Sequence, residues 1–97
     1  MTTFNTYIKE NEETLDMYTT AITRAHGKNH SEVFDVREIY TEIQSKTKEA
    51  GSEKPMLDAE FTELREVTDN YEIPGDVCQT FAAVYNMLSK ADQAYQA

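Results

Sequence analysis

The feature that most restricts this chain is an apolar stripe that recurs every three or four residues and is broken at three places. The breaks are turn signals: Gly27-Lys28-Asn29, then Gly51-Ser52 with Pro55, then Pro74-Gly75-Asp76. They leave four stretches of about 17–22 residues, each with the 3.6-residue period of an amphipathic helix. The first carries Phe4, Ile8, Leu15, Tyr18, Ile22 and Ala25, with Asn11 in the gap. The second carries Val33, Val36, Tyr40, Ile43, Thr47 and Ala50. The third carries Leu57, Phe61, Leu64, Thr68 and Tyr71, and the fourth Val77, Phe81, Val84, Leu88, Ala91 and Tyr95. No stretch alternates with period two, so no strand is predicted.

Local signals place the ends. Thr2 or Thr3 can cap the first helix, and Gly27 can end it. Ser31 is the expected N-cap of the second, with Glu32 and Asp35 near the positive end of its dipole. Pro55 suits the first turn of the third, where a missing N–H costs nothing. Asp76 and Gln79 have capping-box spacing before the fourth. The predicted helices are about 4–26, 32–50, 55–71 and 76–96, within a single domain, 1–97. Rods of this length with short connections predict an all-α, antiparallel, up-down-up-down four-helix bundle with shallow crossing angles.

Composition excludes several classes of function. Nine Lys and Arg against 18 Asp and Glu give a net charge of −9, which repels phosphate backbones and anionic lipid; neither nucleic acid nor a membrane is expected as partner. One cysteine excludes an internal disulfide and a Cys-based zinc or iron–sulfur site. No apolar run is long enough to span a membrane, and Met1-Thr2-Thr3-Phe4-Asn5 has neither a basic segment nor an export core, so a cytoplasmic protein is expected. The runs Glu10–Glu13 and Asp58–Glu60 read as solvated faces. The aromatic set Phe4, Tyr18, Phe34, Tyr40, Phe61, Tyr71, Phe81, Tyr85 and Tyr95 reads as core.

Three residues could carry chemistry. His26 and His30 are four apart, but the residues between them are not those of a zinc-hydrolase helix, and Glu-x-x-His is absent. They read either as a helix-terminal and a loop histidine, solvated or capping carbonyls, or as ligands of a weak metal site with Glu32 or Asp35. Cys78, in the first turn of the fourth helix, reads either as a small buried hydrophobe or as a thiol activated by the helix dipole. No motif supports a hydrolase.

Two segments carry a family resemblance. Ala21-Ile22-Thr23-Arg24-Ala25-His26-Gly27-Lys28-Asn29-His30-Ser31-Glu32 resembles the V-H-G-x-x-H-P-E junction in the hemerythrin-like domain of the iron–sulfur cluster repair family (RIC, repair of iron centres). Leu64 to Phe81, continuing through Tyr85 and Leu88, resembles that family's L-x-x-x-T-N-x-Y-x-P-P-x-x-A-C-x-T-[FW]-x-x-x-Y segment. The resemblance spans roughly residues 5–97. It implies a hemerythrin-like four-helix bundle, a di-iron site and a role in mending iron–sulfur centres after oxidative or nitrosative damage.

The resemblance also shows where this chain departs from the family. His26 matches one ligand. The partner ligand falls near Asn5, the His-x-x-x-Glu pair near Lys46 and Ala50, and the histidine opening the third helix within Lys54 to Asp58, where there is none. The last His and Glu would lie some twenty residues beyond Cys78, past Ala97. The expectation is therefore a non-enzymatic bundle with a degenerate metal site and no cofactor, acting through contacts with a protein partner and able to form a homodimer. The alternative is a metal or redox protein of iron–sulfur repair or the stress response. It would use His26 and His30, across a dimer if need be, with iron as cofactor and Cys78 as redox partner.

Overall fold

The computed structural model describes residues 3–97. Thr2, one of the two expected caps, lies outside the described residues. The described residues form four α-helices and no strand: α1 Thr3–His26, α2 Glu32–Ala50, α3 Asp58–Val67 and α4 Gln79–Gln96. The helices pack into a body of 38 × 23 × 18 Å. The close backbone approaches are α1 with α4, α1 with α2, and α2 with α3. None of these helices is long and apolar enough to cross a membrane.

The predicted stripes supply most of the core. Phe4, Ile8, Leu15 and Ile22 of α1 meet Val33, Val36, Tyr40 and Ile43 of α2, Leu57, Phe61 and Leu64 at α3, and Phe81, Val84, Leu88, Ala91 and Tyr95 of α4. Burying each large side chain contributes about 1.5–3 kcal/mol, the gain that holds these helices together. Phe4, Phe61 and Tyr95 pack ring on ring, with centroids 5.1–5.8 Å apart. Tyr40 is wholly buried and donates its hydroxyl hydrogen bond to the Glu12 carbonyl at 3.2 Å.

The stripes err at their edges. Ala25 is exposed, and Tyr18, Thr47, Ala50, Tyr71 and Val77 are half-buried. Phe34 is 54% exposed instead of core. Its ring lies over Gly27, where a Cβ would come within 2.6 Å of it and within 2.4 Å of the Thr23 carbonyl. Gly27 thus ends α1 with space for a neighbouring ring. In the other direction Ile39, Tyr85, Asn5, Thr19 and Asp92 are buried although the stripes omit them. A helix with a neighbour on each side buries a wider arc than a single 3–4 seam.

Two helices are shorter than predicted. α3 begins at Asp58, not at residue 55: Leu57 lies outside the helical region with φ of −124° and ψ of 18°, its N–H donates to the Tyr95 hydroxyl at 2.7 Å, and its carbonyl accepts the first helical bond, from Phe61. Pro55 is buried in the connection, which Asn5 ties down by donating from Nδ2 to the Glu53 carbonyl at 2.8 Å. α3 ends at Val67, not at residue 71, because Asp69, Asn70 and Tyr71 all have positive φ (52°, 59° and 64°). Asp and Asn tolerate that region, whereas at Tyr71 it costs about 1–2 kcal/mol. The Thr68 hydroxyl receives the Tyr71 N–H at 2.9 Å and helps to hold the turn.

α4 begins at Gln79, not at residue 76. Its N-cap is Cys78, with an extended φ of −80° and ψ of 172°, and the Cys78 carbonyl accepts the Ala82 N–H. The expected capping box does not form because the Asp76 carboxylate faces His30 instead. Ser31 does precede α2, but in a helical conformation and without a side-chain cap hydrogen bond.

Candidate functional site

The predicted chemical residues meet at one place, where the end of α1, the start of α2 and the start of α4 come together. His26 is the last residue of α1, and Cys78 is the residue before α4. His26 Nε2 lies 3.2 Å from Cys78 Sγ. Phe81, in the first turn of α4, forms the floor: its ring stands edge-to-face against His26 at 5.3 Å and 89°, and 5.6 Å from the His30 ring. An apolar floor fixes the imidazoles without competing for their nitrogens.

Cys78 is exposed, so the buried-hydrophobe reading does not hold. Its extended cap conformation places it ahead of the free N–H groups of the first turn. The Phe81 N–H foremost, then His26, with the Thr80 N–H adding, lower the thiol from its ordinary value to about 7. The sulfur closes no capping hydrogen bond. The N–H groups act instead as the positive end of a helix acts on a nearby anion. A thiol near 7 is about half thiolate at neutral pH, and the thiolate is the nucleophile.

His30 is held differently. Its Nδ1 lies 3.2 Å from Glu32 Oε2, and its Nε2 lies 3.0 Å from Asp76 Oδ1. Both ring nitrogens donate when the imidazole is protonated, so Asp76 first, then Glu32, raise its pKa above the ordinary range. The same contact holds the Asp76 carboxyl below its ordinary range. The pair pins the loop before α4 to the start of α2 and thereby supports the position of Cys78.

The pH dependence follows from those directions. A raised histidine pKa adds stability that is fully present below about 6.5 and is lost as pH rises through the higher folded value. A depressed Asp76 adds stability present above about 3.9 and lost as pH falls through its lower folded value. The contact is therefore strongest from about pH 4 to pH 6.5. NMR titration of the His30 Cε1 proton should give a midpoint above that of an unperturbed histidine, and Asp76→Asn should lower it. An unchanged midpoint in Asp76→Asn would contradict the assignment.

The metal expectation meets a different arrangement. The His26 and His30 rings are 6.3 Å apart, His26 faces sulfur, and His30 is held between two carboxylates. Glu32, and not Asp35, is the acid from the start of α2 that contacts His30. Among the described residues, no three His, Cys, Asp or Glu side chains converge as metal ligands. The donor chemistry does not fit a di-iron centre either. Asn5, near one expected ligand position, bonds the connection after α2, and Lys46, near another, donates to Glu60.

A second polar cluster was not legible in the stripes. Asp92 of α4 is buried and receives Arg65 of α3 side-on, with Nε to Oδ2 and Nη2 to Oδ1 both at 2.8 Å. The Tyr71 hydroxyl donates to Oδ2 at 2.7 Å and Gln96 Nε2 to Oδ1 at 3.1 Å. Burial pushes the Asp92 carboxyl up, but Arg65, Tyr71 and Gln96 outweigh it and hold it below the ordinary carboxylate range. Comparison with known proteins found no matching family model, no matching curated protein and no matching solved structure.

Proposed function

We propose that this chain is a non-enzymatic helical protein that acts through protein contacts and carries Cys78 as its reactive group. We further propose that its frame is an antiparallel, up-down-up-down bundle similar to the hemerythrin-like domain of the iron–sulfur repair family, with a thiol at one end in place of an iron centre. The single observation that carries the chemical reading is the 3.2 Å approach of His26 Nε2 to an exposed Cys78 Sγ at the start of a helix. The arrangement of ends supports the frame: His26 closes α1 beside the start of α4, and Asn5 near the start of α1 reaches the connection after α2. A role in the response to oxidative or nitrosative damage rests on the resemblance together with this thiol.

The chemistry is thiol–disulfide exchange. The Cys78 thiolate attacks one sulfur of a disulfide, a Cys78–sulfur bond forms, the original S–S bond breaks, and the leaving thiolate takes a proton from water. One sulfur of a partner protein's disulfide would then be held covalently at the α1/α4 end.

Intact-mass measurement of the full chain with neutral bis(2-hydroxyethyl) disulfide at pH 7 tests this, since a neutral reagent does not meet repulsion from the −9 charge. One adduct per chain is expected in the native protein and none in Cys78→Ser. Reaction no faster than that of an unstructured cysteine peptide would reject the thiol reading. Stoichiometric iron that is lost in His26→Ala would overturn the reading in favour of a metal centre.

A further inference from the structure

The start of α4 has two candidate caps. The sequence offers Asp76, with Gln79 three residues on in capping-box spacing. The structure uses Cys78 instead: its backbone is extended, its carbonyl accepts the Ala82 N–H at 3.2 Å, and its sulfur closes no cap hydrogen bond. Aspartate ranks among the strongest N-caps, and cysteine does not. The weaker cap is in place because His30 Nε2 lies 3.0 Å from one Asp76 carboxylate oxygen and 3.1 Å from the other. His30 is in turn fixed from every side. Glu32 of α2 lies 3.2 Å from Nδ1, the His26 ring of α1 is 6.3 Å away, and the Phe81 ring of α4 is 5.6 Å away. Among the described residues, no lysine or arginine pairs with Asp76 in place of His30.

We infer that His30 is a positioning residue for Cys78: by holding the Asp76 carboxylate, it keeps Asp76 off the first turn of α4 and leaves Cys78 as the cap that faces His26. The inference rests on the reading of Cys78 as the reactive group. Without His30, Asp76 caps the helix, Gln79 returns its side chain to the Asp76 N–H, and Val77 and Cys78 enter the first turn. The Phe81 and Thr80 N–H groups, which lower the thiol, then bond the Val77 and Asp76 carbonyls four residues earlier and no longer face the sulfur. The capping carboxylate also opposes a thiolate two residues away. Bringing Cys78 from ψ of 172° into the helical range re-aims its sulfur relative to α4 as well. A contact that merely tethered the loop would make the loss of either partner equivalent. Competition between two caps makes the two losses different, because removing Asp76 removes the competitor.

The test uses the full chain as His30→Ala, Asp76→Ala and the double variant. Each is followed by the Cα chemical shifts of Val77 and Cys78 and by the thiolate absorbance against pH. His30 is half-buried and outside the core cluster, so its replacement keeps the fold. His30→Ala should give helical shifts at both residues and raise the Cys78 midpoint from about 7 to about 8. Asp76→Ala and the double variant should keep both residues non-helical and the midpoint near 7. Unchanged shifts at Val77 and Cys78 in His30→Ala, or the same change in both single variants, would overturn the inference. A midpoint near 8.5 in the unaltered protein would instead reject the thiol reading, while the shifts at Val77 and Cys78 still decide between the two caps.

Discussion

Asp92→Ala should destabilise the protein by about 3 kcal/mol, the lower end of the cost of breaking a buried ion pair. Asp92 joins two helices that also meet through Phe61 and Tyr95, whose ring centroids lie 5.1 Å apart. The close backbone approaches run α4–α1–α2–α3, so α3 and α4 meet through side chains, with Arg65 on Asp92 as an ion pair between them. Removing the carboxylate also leaves the Tyr71 hydroxyl and Gln96 without their shared acceptor. Tyr71 is the least tolerant of the left-handed residues after α3, and its bond to Asp92 offsets that cost. The lower estimate is apt because Arg65 has a side chain 36% exposed and can return to water. Tyr71→Phe, which removes one hydroxyl, should cost only about 1 kcal/mol. Urea denaturation of the three proteins checks both figures. For a domain of this size the larger one corresponds to a fall in Tm of roughly 12–24 °C. A loss below about 0.5 kcal/mol, the range of ordinary surface changes, would show that the cluster does not join α3 to α4.

The second large effect concerns the thiol. His26→Ala should move the midpoint of Cys78 thiolate formation from about 7 to about 8, toward the ordinary value near 8.5. It should stop short of that value because the Phe81 and Thr80 N–H groups remain. The thiolate fraction at pH 6 then falls about tenfold. The exchange rate at that pH should fall less, about threefold, because a more basic thiolate is a better nucleophile. The thiolate absorbance near 240 nm, followed against pH, gives the midpoint directly. A midpoint unchanged in His26→Ala would mean that the helix terminus alone activates the cysteine. Cys78 would then be a thiol without a histidine partner.

Much of the architecture can be read along the chain. Four apolar stripes with period 3.6 and the breaks at Gly27, Gly51 and Pro74 predict four helices, and the described residues form four. The period is local physics: it depends on which face a side chain occupies within a turn. The same rule predicts Phe4, Leu15, Val36, Tyr40, Phe61 and Leu88 as core, and all are buried. Residue type and position at the helix ends point to His26, His30 and Cys78 as the residues able to carry chemistry.

Whether those residues act together depends on distance across the bundle. His26 and Cys78 are 52 positions apart in sequence, and only the packing of α4 against α1 brings them to 3.2 Å. The same packing takes Asp76 out of its expected cap and onto His30, which shortens α4 and leaves Cys78 as the exposed N-cap. Asp92 and Arg65 have no local signature, because a buried ion pair is stable only once both helices have brought it out of water. Local periodicity therefore determined the number of helices and most of their buried faces. Tertiary packing alone determined which polar groups share a low-dielectric neighbourhood, and hence where a thiolate and a locked carboxylate can exist.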